Sequence, residues 1–173
     1  MKCSIKELKE GTTYYFLEAD PNKVKDLKMY KAVLVELNTE GRAATAMFDF
    51  EGLEKNQVFL MRCIDNPYVR DESNDPLDKP TTLMCNNPDG NSVAVLGTFM
   101  RPKGFMMSDS VENVINEYHE FLDWSVSEGI HKSQEMVEKG QTTEGYLVEV
   151  RIGILKENYE KQVAWLTETY LNK

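Results

Sequence analysis

The chain has 173 residues, 41% hydrophobic and 28% charged, a composition typical of globular proteins with a sizeable hydrophobic core. Twenty Lys and Arg residues stand against 29 Asp and Glu residues, so the formal net charge is −9. No apolar run approaches the roughly 20 residues that a membrane-spanning helix needs. The stretch MKCSIKELKEG lacks the apolar segment of a secretory signal. We therefore expect a cytoplasmic protein with no membrane association.

Cysteine usage and charge distribution indicate the redox compartment and the kind of partner. Cys3, Cys63 and Cys85 form neither a CxxC pair nor an even set, which favours free thiols in a reducing compartment. Residues 1–105 hold 14 Lys and Arg against 16 Asp and Glu, whereas residues 106–173 hold 6 against 13. Because nucleic acids are bound by clustered cations, the second half argues against nucleic-acid binding. A local basic patch in the first half stays open.

The first hundred residues read as short strands separated by turns. β-branched and aromatic residues are concentrated in six runs, at residues 12–19, 29–37, 42–50, 57–64, 81–85 and 92–100. The NTEG turn at residues 38–41 should join the second and third runs, and the NPDGN turn at residues 87–91 the fifth and sixth. We predict a small antiparallel β-barrel or curled sheet, of which an SH3-like barrel is one form. A short helix at residues 22–28 would interrupt it, and residues 101–107 would form a hinge.

Two long amphipathic helices are predicted after residue 109. Asp109 is a candidate N-cap with Glu112 at capping-box spacing, and Gly140 is a candidate C-cap. Apolar residues recur at steps of three and four over about 109–138 and again over about 143–172. Helices of similar length joined by a short polar turn should form an antiparallel hairpin. The fold class is therefore α+β, with a β-rich domain at 1–105 and an acidic helical hairpin at 106–173.

One segment supports two interpretations. Residues 146–155, YLVEVRIGIL, alternate in polarity like a strand, with Val148, Val150, Ile152 and Ile154 on one face. The apolar stripe of the second helix nevertheless passes through this segment without a break, and we therefore favour helix.

Both predicted helices carry apolar residues outside their main seam. At roughly 100° per residue, one such edge lies on each helix; the residues are Val114, Phe121, Trp124, Leu147, Ile154 and Trp165. A second apolar surface requires a cover. The candidate covers are the β-rich domain, a second copy of the hairpin in a homodimer, or another protein. We predict the homodimer, with these six residues at the protein interface.

Few side chains point to catalysis or cofactor binding. His119 and Asp123 share a helix face, but too few further ligands accompany them for a metal site. We interpret His119 as an edge residue whose polar end is held by Asp123 or water. No nucleophile elbow, P-loop or dinucleotide fingerprint is present. The acidic stretch at residues 70–78 lacks an EF-hand pattern. We expect no cofactor, no metal and no enzymatic activity.

The acidic helices indicate a binding function. Candidate docking residues on the acidic face and hairpin tip are Glu117, Glu120, Glu135, Glu138 and Glu144. We predict an accessory protein that binds, and inhibits or tethers, a protein with a basic surface. One alternative is a nucleic-acid-binding β-domain with an oligomerising helical tail, which would require clustered cations among Lys23, Lys25, Lys28, Lys31, Arg42 and Arg62. The other is an enzyme or small-ligand binder that uses the β-domain without a recognisable motif.

Overall fold

The structure, a computed structural model, describes residues 5–18, 20, 23–40, 44–52, 54, 57–63, 83–85 and 105–172, with backbone alone at 5, 44, 57–63, 83–85 and 105. A 3₁₀ turn at Ile5–Glu7 precedes six strands. These are β1 (Thr13–Glu18), β2 (Met29–Asn38), β3 (Ala44–Phe50), β4 (Gln57–Cys63), β5 (Leu83–Cys85) and β6 (Phe105–Ser108). Two helices follow, α1 (Val111–Glu138) and α2 (Thr142–Leu166), and a π-helical segment at Thr167–Leu171 continues α2. The predicted α+β class, an antiparallel sheet followed by helices, is confirmed.

Each strand pairs antiparallel with its neighbour in the sequence. The ladders β1–β2, β2–β3 and β3–β4 are the longest, and β5 pairs with β4 and β6 through two and three residue pairs. β6 also pairs with β1, where Phe16 lies opposite Met107. The register of β2 and β3 shifts between Leu34 and Glu36, so Val35 is an extra residue in β2. This bulge moves the next inward position of β2 to Leu37, which packs against the core.

Several predictions about the first half are changed by the described residues. Residues 105–108 form strand β6 instead of a hinge, and the predicted domain boundary between residues 105 and 106 falls inside that strand. The division into 1–105 and 106–173 stays a prediction. Residues 23–28 contain no helix, so that prediction is wrong for the part that the structure describes. The predicted run at 92–100, the turn at 87–91 and the acidic stretch at 70–78 lie outside the described residues.

Two apolar clusters lie on opposite sides of β1 and β6. The sheet cluster comprises Leu8, Tyr14, Phe16, Ala32, Leu34, Ala46, Phe48, Phe50 and Met107. The junction cluster, which joins sheet and helices, comprises Leu17, Leu27, Met106, Val114, Ile115, Tyr118, Phe121, Leu122, Leu155 and Leu166. Because successive strand residues point to opposite faces, Phe16 and Met107 enter one cluster while Leu17 and Met106 enter the other. β1 and β6 are therefore covered on both sides, and the helices rest on them.

The ends of α1 are set by local capping. Ser110, not Asp109, is the N-cap, and its hydroxyl accepts a hydrogen bond of 3.1 Å from the backbone N–H of Asn113. Asp109 instead accepts a 2.7 Å hydrogen bond from the Asn113 side chain. At the other end Gly140 has φ +80°, and its N–H bonds to the carbonyl of Val137. This left-handed glycine ends α1 as predicted, because it adopts that φ without steric cost.

α1 and α2 pack along each other in opposite directions. The Ser133 hydroxyl donates a 2.9 Å hydrogen bond to the carbonyl of Gly145 near the turn between the helices. Closer to the sheet, the rings of His119 and Tyr159 meet edge to face at 6.0 Å. Residues nearer the start of α1 thus contact residues nearer the end of α2. Residues 146–155 lie within α2, so the helical interpretation of that segment is confirmed.

Candidate interaction surface

The apolar edge predicted on α1 is covered by the chain itself. Val114 and Phe121 are buried in the junction cluster, since the first turns of α1 lie against β1 and β6. Trp124 is half-buried beside Phe121, with ring centroids 5.8 Å apart. The assignment of Val114 and Phe121 to an intermolecular interface is therefore wrong. They belong to the contact between helix and sheet, which was the alternative that the sequence left open.

The apolar edge predicted on α2 is covered at one end alone. Trp165 packs partly buried against the junction cluster, 5.8 Å from the Tyr170 ring. Leu147 and Ile154 remain 53% and 57% exposed. They share the azimuth of Trp165 but lie about 27 Å and 16 Å further from the sheet along the helix axis, at 1.5 Å per residue. α2 extends beyond the part of the sheet that covers Trp165, and its distal edge faces solvent.

Two more residues widen this exposed edge of α2. Tyr146 is 63% and Val150 42% exposed. Together with Leu147 and Ile154 they occupy about 100° of the helix circumference, and we call these four residues the α2 apolar arc. The buried residues Ile152 and Leu155 lie on the opposite side of α2, against α1. The arc is therefore distinct from the seam between the helices.

The outer side of α1 is acidic along its whole length. Its exposed carboxylates fall within about 160° of the helix circumference and span about 39 Å. We call them the α1 acidic face: Glu112, Glu120, Asp123, Glu128, Glu135 and Glu138. Lys132 is the single Lys or Arg within the helix. Glu135 lies 3.6 Å from both His131 and Lys139. This face presents a strongly negative, solvated surface.

Glu117 does not belong to that face, contrary to prediction. Its side chain is 4% exposed because this turn of α1 packs on β6, and the Ser108 hydroxyl donates a 3.3 Å hydrogen bond to Oε1. Burial raises the pKa of the Glu117 carboxyl, and the Ser108 hydrogen bond opposes that shift. A buried carboxylate cannot dock on a partner. Glu144, the predicted tip residue, is exposed in the first turn of α2.

His119 sits at the edge of the helical seam. Burial lowers its pKa below the ordinary 6.5, and the nearby Asp123 charge opposes the shift. Its Nε2 is buried without a hydrogen-bond partner among the described residues. The neutral imidazole therefore packs as an aromatic ring against Tyr159. Across the described parts of the chain, no three His, Cys, Asp or Glu side chains converge as metal ligands.

A polar contact between α2 and the β1–β2 connection escaped sequence reasoning. The fully buried Gln162 donates hydrogen bonds from Nε2 to the carbonyls of Asp20 (2.8 Å) and Lys23. The Tyr170 hydroxyl donates 3.0 Å to the carbonyl of Leu27. The available signal was the seven-residue step from Leu155 to Gln162, which places an amide on the buried side of α2. These bonds fix the base of α2 and the π-helical segment to the β1–β2 connection.

The cations that would support nucleic-acid binding are partly neutralised. The Lys23 ammonium lies 2.6 Å from Glu18, which raises its pKa, and Lys31 lies 3.6 Å from Glu51. Lys25 and Lys28 are exposed. The side chains of Arg42 and Arg62 lie outside the described residues, as do those of Cys3, Cys63 and Cys85. Two of the four described lysines in this set are thus paired with carboxylates.

An open groove of about 470 Å³ lies between the distal parts of the two helices. Its apolar lining residues are Ile130, Val137 and Ile152, and its polar lining residues are Ser133, Gln134, Glu138 and Glu149. The lining thus offers apolar contact, negative charge, one hydroxyl and one amide, and the Ser133 hydroxyl is already bonded to the carbonyl of Gly145. The groove is continuous with the α1 acidic face through Glu138.

Comparison of the chain with protein-family models, with curated proteins and with solved structures finds no match in any of the three. Among the helices that the structure describes, none combines the length and apolarity required to cross a bilayer. The functional argument accordingly depends on the geometry and charge of the surfaces.

Proposed function

We propose that this protein is a non-enzymatic accessory protein that binds, and thereby inhibits or tethers, another protein through the α1 acidic face. The partner presents a basic surface, and the complex forms in the cytoplasm. The proposal depends on one observation, which is that the negative charge of α1 is concentrated on its outer side. Six exposed carboxylates lie on its outer side, and Lys132 is its one Lys or Arg.

Charge of one sign along a helix favours a particular kind of partner. Complementary charge accelerates encounter and selects against partners of the wrong sign more than it adds affinity. A face about 39 Å long offers several carboxylates at fixed spacing to an elongated basic surface. The same negative array would repel nucleic acid, and it is suited to occupying a site that otherwise binds phosphates.

The helix that presents this face is held rigidly. Its first turns lie in the junction cluster, and α2 packs along it to the turn at Gly140. Gln162 and Tyr170 bind the base of α2 and the π-helical segment to the β1–β2 connection. Binding groups on a supported helix keep their spacing, which reduces the entropy lost on association. The expected homodimer concerns a different surface, on α2, and does not enter this proposal.

The finer shape of the scaffold belongs to the same proposal. We propose that the sheet closes into a small barrel, because β6 pairs with both β5 and β1. We also propose that α1 and α2 act as one hairpin, because their contacts run in opposite directions. The barrel would then be a base from which the hairpin projects the α1 acidic face.

A matched pair of charge variants tests this function. The first, E112Q/E120Q/E128Q, removes three charges from the α1 acidic face; the second, E149Q/E160Q/E168Q, removes three exposed carboxylates elsewhere in the helical half. Both change the net charge from −9 to −6. The probe is a fluorescein-labelled, lysine-rich helical peptide, and fluorescence anisotropy gives its Kd.

We expect the α1 variant to weaken binding about tenfold, which corresponds to about 1.4 kcal/mol, and the matched variant to weaken it by less than half that energy. Added salt should reduce the difference, because exposed charges are screened. Equal weakening by the two variants would mean that net charge alone is sensed. That result, or an absence of binding by the wild-type protein, would overturn the assignment of docking to α1.

A further inference from the structure

The α2 apolar arc needs an occupant, and the charges around it restrict the choice. α2 carries four Asp or Glu residues and three Lys or Arg residues, whereas α1 carries seven and one. A basic partner suited to α1 would meet Arg151 and Lys161 at the arc. Two copies of the chain, each with a net charge of −9, repel one another least where local charge is balanced. That condition is met on α2.

We propose that the arc binds a second copy of the chain, with the two α2 helices packed antiparallel about a two-fold axis. The side of α2 that carries Val150 and Ile154 also carries Glu157 and Lys161, further along the helix. A parallel arrangement would place each charged residue beside its own copy, and like charges at such positions are destabilising. An antiparallel arrangement removes both repulsions, and it overlaps the apolar part of each arc with that of the other.

The antiparallel register keeps the charged residues on this side of α2 away from their own copies. When Val150 of one copy faces Ile154 of the other, Glu157 lies opposite position 147 and Lys161 opposite position 143. Glu144 and Glu160 occupy opposing positions, but each is turned about 90° or more from the centre of the arc. The overlap of the two arcs is thus self-complementary in polarity.

The size of the arc sets the expected strength. A stable specific interface buries about 800 Å² on each partner, which four half-exposed side chains supply in part only. We therefore expect a dimer with a dissociation constant of about 10 µM, comparable with transient assemblies. The α1 acidic face stays accessible in this dimer, because it lies on the far side of the helix pair from the arc.

Sedimentation equilibrium of the full chain, from low to several hundred micromolar, measures the dimer. We expect Ile154→Asp to abolish association, because it places a charge in the overlap. Ile130→Asp, at an exposed site on α1, is the matched control and should leave the dissociation constant unchanged. Far-UV circular dichroism and urea unfolding confirm that each variant is folded.

A charge exchange within the overlap tests the register. Val150→Lys alone and Ile154→Glu alone should each weaken the dimer at least threefold. The double variant should restore part of the affinity, because positions 150 and 154 face each other in the antiparallel register alone. A wild-type protein that stays monomeric at several hundred micromolar overturns the proposal. So does a dimer that survives Ile154→Asp, while two single variants that weaken it without mutual rescue overturn the antiparallel register.

Discussion

The close approach of the two helices at Gly145 predicts opposite effects for two glycine substitutions in α2. A Cβ atom added at Gly145 would lie 2.8 Å from Val137 Cγ2 and 3.1 Å from the carbonyl oxygen of Ser133. A Cβ atom added at Gly153 would meet no atom within 4 Å. Both positions are helical, so both substitutions gain helix propensity. Gly145→Ala and Gly153→Ala therefore differ in the space available and share the propensity gain.

The magnitudes follow from the two environments. Replacing glycine by alanine in an exposed helix interior stabilises a protein by about 1 kcal/mol or slightly less, which is the full expectation for Gly153→Ala. At Gly145 the clash costs about 1–3 kcal/mol, because a backbone carbonyl and a stiff valine must both move. The Ser133 hydrogen bond to Gly145, worth about 1 kcal/mol, is also strained. We expect Gly145→Ala to destabilise by about 1–2 kcal/mol.

Urea unfolding followed by circular dichroism gives both free energies of unfolding. For a chain of this size the two variants should differ by several degrees in Tm, at about 2–4 °C per kcal/mol. A second substitution, Val137→Ala, removes the nearest obstructing atom and should recover part of the loss in Gly145→Ala. If Gly145→Ala stabilises the protein as much as Gly153→Ala, the close packing of the helices near the turn is refuted.

Two further predictions concern buried polar groups. Gln162→Ala should destabilise the protein by about 2–4 kcal/mol, because it removes two hydrogen bonds and leaves a cavity in a fully buried site. Urea unfolding measures the change, and a decrease in the free energy of unfolding below about 1 kcal/mol would contradict the two hydrogen bonds. His119 should titrate below 6.5 in the folded protein by NMR. Its contribution to stability should therefore be present above pH 6.5 and lost as the pH falls further, since the unfolded chain binds the proton more readily. If the free energy of unfolding falls equally steeply with decreasing pH in His119→Gln, this prediction is wrong.

Helical periodicity made the α-helical half predictable, and capping explains the small errors. The apolar stripes placed α1 and α2 to within three residues at three of their four ends, and the left-handed Gly140 fixed the turn between them. α1 begins at Val111 because Ser110 takes the capping role expected of Asp109. At the C-terminus the predicted helix to residue 172 divides into α2 and a π-helical segment, a change in hydrogen bonding that periodicity does not encode.

Which apolar edges are covered could not be predicted from periodicity. A helical wheel gives the azimuth of a residue but not how far the neighbouring sheet extends along the axis. Trp165 and Ile154 share an azimuth, yet Trp165 packs on the junction cluster and Ile154 faces solvent. The assignment of Glu117 to the acidic docking face was wrong for the same reason, since its turn of α1 lies over β6. β6 itself was missed because four residues are too short for an alternating pattern to be recognised.

The distribution of charge gives the two surfaces opposite responses to salt. Docking of a basic partner on the α1 acidic face joins opposite charges, so screening should weaken it. Self-association through the α2 apolar arc joins two chains of net charge −9, so screening should relieve their repulsion and strengthen the dimer. A basic partner bound to α1 lowers the same repulsion, so docking and dimerisation should favour each other by linkage. A dimer weakened by added salt, or by the basic peptide, would place self-association on a charged face instead of the arc.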